Sequence, residues 1–308
     1  MPSTQAGEIK VAKVMTMAEA VRRFVTDGDL VYVAGFSHAI AFSSGHEIIR
    51  QRKRNLTLCR ATPDVIYDQM VAAGCARKLI FSWVGNPGLG NLHCISRALA
   101  DGLEFEEYSH FQMLARLVAG GTGLPFYPMP DGSGGELARH NPNLKTVTDP
   151  FSGSKWIAVP PLRPDVVFIH VQRSDRKGNI QMWGVVGDVR DAAASGRSVI
   201  ASVESIVPDD VVRRDPNRTI LPGFLVDAIV REPWGAHPSP VQGHYDRDNE
   251  AYRSWSTISK EPNRVTEFLD EWVYGVDGRA EYVRRQSPRL NALEVGTSLS
   301  EPVNYGSA

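Results

Sequence analysis

The sequence predicts an α/β fold with an open, largely parallel sheet that is flanked by helices. In the first half of the chain, short β-branched and aromatic segments alternate with segments that carry helix-capping residues. This alternation is typical of parallel sheets, because parallel neighbours need a crossover connection that is usually a helix. The second half of the 308 residues adds a predicted β-hairpin and a helical C-terminal tail from about residue 249.

The first half is predicted to contain three buried strands separated by capped helices. The strands are predicted at 30–34, 56–58 and 79–84, and the helices at 17–24, 45–54, 63–73 and 95–100. Thr16 and Glu19 have the spacing of a capping box. Thr62 is predicted to cap the third helix, because Pro63 follows it and Gly74 lies just past the expected end.

A further capped helix is predicted from residue 110. Ser109 and Gln112 form a second capping box, and an apolar face follows at helical spacing. That face consists of Met113, Leu114, Leu117 and Val118. We expect Gly120-Gly121 to end this helix, and 124–126 to form a short buried strand before a glycine-rich loop at 131–135.

The second half keeps the strands but changes their connections. Strands are predicted at 156–159, 166–171, 199–203 and 225–230. A tight turn at 174–178 precedes Ile180 and Met182, which alternate with polar neighbours, so a hairpin is expected there. The tail is predicted to contain helices at 262–273 and 279–285.

Composition excludes several classes of protein. Apolar residues make up 42% and charged residues 22%, and 34 Lys and Arg nearly balance 35 Asp and Glu. We therefore expect neither a nucleic-acid-binding nor a membrane protein. The first fifteen residues lack the apolar core of a signal peptide, and Cys59, Cys75 and Cys94 have no disulfide or metal spacing. A cytoplasmic location is expected.

Ligands of open parallel sheets bind beyond the carboxyl ends of the strands. This rule predicts that Ser37, His38 and the 82–86 segment, including Ser82 and Asn86, lie at one mouth with the 131–135 loop. No nucleotide-binding or nucleophile-elbow motif occurs, and the eight histidines lack metal-ligand spacing, so no metal is expected. His170 is interpreted as a core histidine, whereas His110 and His237 are kept as site candidates.

Several ordered segments resemble the A (alpha) subunit of the family I CoA-transferases, in particular the glutaconate CoA-transferase type. The segments that carry the resemblance are Asp27-Gly28, Ala34-Gly35-Phe36, Glu107-Tyr108-Ser109, Gly123 to Pro128, Ile169-His170, Gly178-Asn179, Trp183-Gly184, Val203-Glu204, Arg213-Arg214-Asp215-Pro216, Pro222-Gly223, Val226-Asp227-Ala228 and Gly235-Ala236-His237-Pro238. The resemblance implies the CoA-transferase (NagB-RpiA-like) fold. It also implies one domain over 12–293, and we expect 1–11 and 294–308 to be flexible ends.

The resemblance implies that the chain is half of an enzyme. A glutamate of a B (beta) subunit would attack a short-chain or dicarboxylic acyl-CoA and pass CoA, through a glutamyl-CoA thioester, to a free acid. The CoA thioester would be a substrate and not a bound cofactor, and a hetero-oligomer such as (αβ)2 or (αβ)4 is expected. Glu294 and Glu136 are interpreted as solvated residues and not as nucleophiles.

The resemblance also leads to an expected role for each site residue. Gly132, Ser133 and Gly134 would present N–H groups to the acyl and thioester region. Ser109 and His110 would contact the substrate acid, with His110 as a possible catalytic residue. Pocket-shaping residues against the partner would be Ser37, His38, Gly235 and His237.

The sequence is also compatible with other functions. The resemblance extends to relatives in the same superfamily that hydrolyse a carbon–carbon bond in steroid-ring CoA thioesters or decarboxylate a glutaconyl-type CoA ester. His110 stands where similarity to the hydrolases implies an acidic residue, and an imidazole can act as a base. The further alternatives are a scaffold chain without catalytic function and a sugar-phosphate isomerase of the same fold.

Overall fold

The computed structural model describes residues 13–86, 89–130 and 135–295. Its β-strands are β1 (Lys13–Val14), β2 (Leu30–Val33), β3 (Leu56–Cys59), β4 (Ala76–Phe81), β5 (Glu104–Glu107), β6 (Tyr127–Pro130), β7 (Lys145–Thr148), β8 (Lys155–Val159), β9 (Val166–Ser174), β10 (Ile180–Gln181), β11 (Ser198–Ile206), β12 (Thr219–Leu221) and β13 (Ala228–Arg231). Its α-helices are α1 (Met17–Phe24), α2 (Phe42–Arg50), α3 (Val65–Ala72), α4 (His93–Ala100), α5 (His110–Thr122), α6 (Leu137–His140), α7 (Val189–Ser195), α8 (Asp209–Arg214), α9 (Asn249–Ile258), α10 (Pro262–Leu269) and α11 (Arg279–Leu290). Short 3₁₀ helices and a π-helical turn at Asp270–Tyr274 complete the elements of the described residues.

One ten-stranded sheet organises the molecule. Eight strands follow the order β1-β13-β11-β9-β2-β3-β4-β5, and every neighbouring pair in this order is parallel. The short strand β10 pairs antiparallel with β9 and with β12, so the predicted hairpin is confirmed. Strands β6, β8 and β7 form a separate antiparallel sheet. The predicted fold class is therefore confirmed.

Both faces of the large sheet are buried, as is usual for parallel sheets. Strand β9 shows this, because its side chains alternate between two apolar clusters. Val167, Ile169 and Val171 belong to the cluster under α5 and α7, whereas Val166 and Phe168 belong to the other. The second cluster also takes side chains from α1, α2 and α3 and from the C-terminal helices α9 and α10.

Local capping signals predicted two helix starts correctly. The Thr16 hydroxyl accepts from the Glu19 amide at 3.2 Å, and the Glu19 carboxylate accepts from the Thr16 amide at 2.9 Å. Ser109 and Gln112 make the same reciprocal pair at the start of α5, at 3.1 and 2.8 Å. The predicted cap at Thr62 is wrong, because Asp64 caps α3 by accepting from the Val65 amide.

The segment after Ser109 departs from the expectation in three places. Leu114 is 37% exposed, although it was expected to face the core. Gly120-Gly121 does not end α5, which continues to Thr122 and ends at Gly123 in the left-handed conformation. The predicted buried strand at 124–126 is wrong, since Leu124 and Phe126 are 41% and 37% exposed and β6 starts at Tyr127.

The sequence analysis missed strands β1, β5, β7 and β12, and several boundaries shifted. Strands β5 and β7 have sequences without a clear alternating apolar face, and most of their residues are exposed. The predicted helix at 45–54 is α2, which begins three residues earlier at Phe42. The strand expected at 225–230 is β13, preceded by the 3₁₀ turn Gly223–Leu225. Within the described ranges, no helix combines the length and apolarity that crossing a bilayer requires.

Candidate functional site

The carboxyl ends of β2, β3 and β4 open on a cavity of about 290 Å³, which we call the strand-end cavity. Loops after these three strands supply most of its wall, as the rule for open parallel sheets predicts. Its lining consists of Phe36, Ser37, Arg60, Thr62, Asp64, Trp83, Gly85, Asn86, His110 and Arg247. Of the residues predicted from the sequence, Ser37, Asn86 and His110 therefore meet at one place.

The loop between β2 and α2 is held in an unusual backbone conformation. Ser37 and Ala39 have positive φ angles of 56° and 50°, a region that costs a non-glycine residue free energy. Gly35 has φ 115°, and a Cβ there would lie 2.7 Å from the Ile40 Cα. The loop is fixed from outside, because the Asp188 carboxylate accepts from the Gly35 amide at 3.1 Å. This fixed loop places the exposed Ser37 at the cavity mouth.

His110 is the first residue of α5 and is exposed at the same mouth. Its Nε2 lies 2.7 Å from the Thr62 hydroxyl, and its ring meets Phe36 edge-on at 6.4 Å between centroids. Ser109 is engaged in the helix cap and does not line the cavity. Thr62 thus lines the cavity and does not cap α3.

Two arginines form the inner part of the cavity wall. Arg60 is only 2% exposed; its Nη2 donates to the Gly35 carbonyl, while its Nε and Nη1 are buried without a partner. Arg247 donates from Nη2 to the Asn86 side-chain oxygen at 3.0 Å, and its Nε is also buried without a partner. Unmet donors of this kind are costly, so they indicate a place where a ligand or water belongs.

Asp64 is the one carboxylate among the described lining residues. It is 8% exposed, and its Oδ1 accepts from the Val65 amide at 2.6 Å. Burial raises the pKa of Asp64, while the guanidinium groups of Arg60 and Arg247 act in the opposite direction. Two arginines against one carboxylate leave the cavity with a positive charge, which favours an anionic ligand.

Two predicted histidines lie in the core and not at the cavity. His38 is 5% exposed; its Nδ1 faces the Val185 carbonyl at 3.0 Å and its Nε2 accepts from the Gln242 amide at 3.0 Å. Burial lowers the pKa of His38 to about 4. His237 is 1% exposed between the Tyr282 hydroxyl (2.8 Å) and Asp248 (2.9 Å), and burial lowers its pKa to about 4 as well.

The remaining predicted residues are placed as follows. The Ser82 hydroxyl donates to the Ala61 carbonyl, and Gly235 packs so closely that a Cβ would lie 2.7 Å from the His170 ring. His170 itself is a satisfied core residue, as predicted, with Ser202 and Glu204 at its two nitrogens. Gly132, Ser133 and Gly134 lie outside the described residues. The pocket-shaping role of Gly235 and the N–H donor role of Gly132, Ser133 and Gly134 therefore stay predictions.

Sequence reasoning missed the two arginines. Arg60 could have been found, because it directly follows β3 and the strand-end rule applies to it as to Ser37. Arg247 could not, since it comes from the loop before α9, far away in sequence. Among the described residues, no three His, Cys, Asp or Glu side chains are grouped to hold a metal ion.

Known proteins are similar to this chain in sequence and in fold. A family model described as coenzyme A transferase matches residues 14–232. The chain is 43% identical over 276 residues to the A (alpha) chain of the 3-oxoadipate CoA-transferase of Pseudomonas knackmussii, and the alignment covers 88% of this chain and 97% of that protein. It is 30% identical over 305 residues to the A (alpha) chain of the glutaconate CoA-transferase of Acidaminococcus fermentans, with coverages of 92% and 95%.

The fold agrees with these sequence similarities. A crystal structure of the glutaconate CoA-transferase from A. fermentans matches with a TM-score of 0.88 at 28% identity, covering 95% of this chain and 99% of that one. The resemblance predicted from the sequence is confirmed. The chain belongs to the coenzyme A transferase family and is of the A (alpha) type.

Proposed function

We propose that this chain acts as the alpha half of a two-subunit CoA-transferase by binding the acid portion of the substrate in the strand-end cavity. The observation that carries the proposal is the composition of that cavity. It contains two arginines and several hydrogen-bond donors, but its one described carboxylate, Asp64, is bound to the start of α3. The attacking carboxylate therefore has to come from the partner subunit.

The reaction proceeds by exchange of acyl groups at a glutamate of the partner. The glutamate carboxylate attacks the thioester carbon, and the CoA thiolate leaves as an acyl-glutamyl anhydride forms. The thiolate then attacks the glutamyl carbonyl and releases the first acid as its carboxylate. A second acid attacks the glutamyl-CoA thioester, and the same two steps in reverse give the new acyl-CoA and the free glutamate.

The two glutamates of this chain that carry a nucleophile-like context do not fit that role. Glu136 is an exposed residue, and its carboxylate pairs with Arg139 at 2.8 Å. Glu294 is exposed as well and forms an isolated backbone bridge with Tyr245. Neither residue lines the strand-end cavity. These positions support a partner that supplies the nucleophile.

This chain would hold and orient the acid. Ser37 and the Thr62–His110 pair stand at the cavity mouth, where hydrogen bonds from them can align a carboxylate for attack. Gly132, Ser133 and Gly134 stay candidates for N–H donors to the thioester oxygen. The exposed rings of Phe36 and Trp83 flank the mouth and offer an apolar rim for the partner.

Dicarboxylic acids are the substrate class that we propose. The relatives at 43% and 30% identity are named for 3-oxoadipate and glutaconate, which both carry two carboxylates. The surplus positive charge of the cavity is consistent with such acids. We propose an assembly such as (αβ)2 or (αβ)4 in the cytoplasm.

Borohydride reduction tests the function. A glutamyl-CoA thioester is reduced by borohydride, whereas a hydrolase that uses a general base leaves no covalent intermediate. We expect that the assembled complex, treated with borohydride in the presence of acyl-CoA, loses activity and carries the modification on the partner chain. This chain alone should transfer no CoA. An unmodified complex that retains activity would contradict the transferase function and favour the hydrolase alternative.

A further inference from the structure

We propose that the inner wall of the strand-end cavity is a carboxylate subsite, in which Arg60 and Arg247 bind the carboxylate of a dicarboxylic acid that does not react. The proposal rests on the proposed function for the orientation of the acid. It names the residues of this chain that would distinguish dicarboxylic from monocarboxylic substrates.

Unmet hydrogen-bond donors are the first argument. Arg60 keeps two buried N–H positions without a partner, at Nε and Nη1, and Arg247 keeps one at Nε. A carboxylate has two oxygens that each accept such donors, so one oxygen can accept from Arg60 and the other from Arg247. Asp64 neutralises only one of the two guanidinium charges. An anion bound here would satisfy both the charge and the donors.

Depth in the cavity is the second argument, because it separates the two ends of the acid. Arg60 is 2% exposed and Arg247 is half-buried, whereas Phe36 and Trp83 at the mouth are 38% and 42% exposed. The reacting carboxylate has to meet the partner's glutamate and therefore stays at the mouth. The second carboxylate then points to the arginines.

Cavity size is the third argument. A volume of about 290 Å³ lies at the lower end of the range for small-molecule sites. It suits a short acid and leaves no room for the nucleotide portion of CoA as well. Phosphate groups share the same chemistry toward arginine, so a phosphate of CoA is the rival occupant that an experiment has to separate.

Adipate and hexanoate are matched probes for this subsite. They have the same six-carbon chain, and hexanoate lacks one carboxylate. We expect calorimetric titration of the full chain, alone and in complex with its partner, to show adipate binding about 10–100-fold more tightly than hexanoate. Arg247→Met should reduce that ratio to near one without weakening hexanoate, and Arg60→Met should lower the ratio as well. Arg60→Lys keeps the charge but loses the planar guanidinium, so it should retain part of the ratio.

Arg116→Met is the matched control. Arg116 is also a buried arginine, at 6% exposure, and its guanidinium lies 4.1 Å from the Tyr108 ring. Its Nη1 has no hydrogen bond but lies 3.6 Å from the Glu106 carboxylate, and the residue does not line the cavity. Its replacement should leave the adipate-to-hexanoate ratio unchanged. If Arg60→Met fails to fold, Arg247→Met decides the question, because Arg247 is less buried.

Three results would overturn the subsite. The first is equal binding of adipate and hexanoate by the unmodified chain, both alone and in complex with its partner. An unchanged ratio in a folded Arg247→Met variant is the second. The third is binding of adenosine 3′,5′-bisphosphate that displaces adipate from the unmodified chain and is lost in Arg60→Met. That result would assign the arginines to a phosphate of CoA. None of these titrations requires CoA transfer, so failure of the subsite and failure of the borohydride experiment are distinguishable.

Discussion

His110 differs from His38, His170 and His237 in its exposure and in the number of its partners. The other three are buried with both ring nitrogens in hydrogen bonds, whereas His110 is exposed with one nitrogen at the Thr62 hydroxyl. A histidine with a free nitrogen at a cavity mouth can bind a substrate group. The three buried ones have no such capacity.

Replacement of His110 should therefore affect the acid more than the chemical step. In the assembled enzyme, we expect His110→Ala to raise KM for the acid about 10–100-fold, the cost of one hydrogen bond to a charged group. His110→Gln, which keeps a donor, should recover part of that loss. Steady-state kinetics with varied acid concentration measure both effects.

An exposed histidine away from the cavity serves as the comparison. His140→Ala should leave KM unchanged, because His140 is exposed on α6 and does not line the cavity. If both His110 variants instead lower kcat by about 10²–10⁴-fold and flatten the pH profile near neutrality, the residue is a general base. That result would favour the hydrolase alternative.

At the level of elements, α5 shows where sequence patterns succeed and where they fail. Its start follows from Ser109 and Gln112 alone, since a capping box is a contact between residues three apart. Its end does not follow from Gly120-Gly121, because these glycines serve contacts with distant segments. A Cβ at Gly120 would lie 2.0 Å from the Leu162 carbonyl oxygen, and one at Gly121 would lie 3.0 Å from the Ala194 Cβ.

Gly120→Ala should destabilise the protein even though alanine is the better helix former. The steric conflict is with backbone, so α5 has to shift away from Leu162, at a cost of about 1–3 kcal/mol that exceeds the gain in helix propensity of about 1 kcal/mol. Urea unfolding measures the change in the free energy of unfolding. Thr122→Ala, at an exposed position of the same helix, should change it by less than about 0.5 kcal/mol. A Gly120→Ala protein as stable as the parent would show that α5 ends or packs differently.

The rest of the fold and site was predictable to the extent that it depends on local sequence. Buried strands such as β9 carry continuous apolar runs and were found, whereas β5 has the sequence EFEE and was missed. It is an edge strand, so charge is tolerated and even protective there, and Glu106 pairs with Lys78 of β4 at 2.6 Å. The cavity mouth followed from the strand-end rule, but Arg247 reaches it only through the path of the C-terminal segment.

At the scale of the whole molecule, buried neutral histidines make the stability of the fold depend on pH. Burial lowers the pKa of His38 and of His237 to about 4, and that of His46 to about 3. Their usual pKa is about 6.5, so the unfolded chain binds more protons than the folded chain between these values. The contribution of these histidines to the free energy of unfolding is therefore fully present above pH 6.5 and is lost as the pH falls toward 4.

The free energy of unfolding should accordingly fall by roughly 3 kcal/mol or more between pH 7 and pH 4.5. Glu232 opposes the trend in part, because burial raises its pKa to about 7. The folded chain therefore takes up this proton before the unfolded chain does, which stabilises the fold as the pH falls. Urea unfolding at a series of pH values measures the slope. His38→Gln should make the slope shallower, and His140→Gln should not change it. A stability that is flat from pH 7 to pH 4.5 would contradict the neutral-histidine interpretation.

The contact between Arg60 and the Gly35 carbonyl has a consequence for how this protein can evolve. One side chain both braces the loop that presents Ser37 and supplies positive charge to the cavity. A single substitution that removes the charge also removes the brace, so a lineage that drifts toward uncharged acids would first pass through a form with a loosened loop. Adaptation to a new acid would then require a second, compensating substitution near Gly35, and the order in which the two arise would matter.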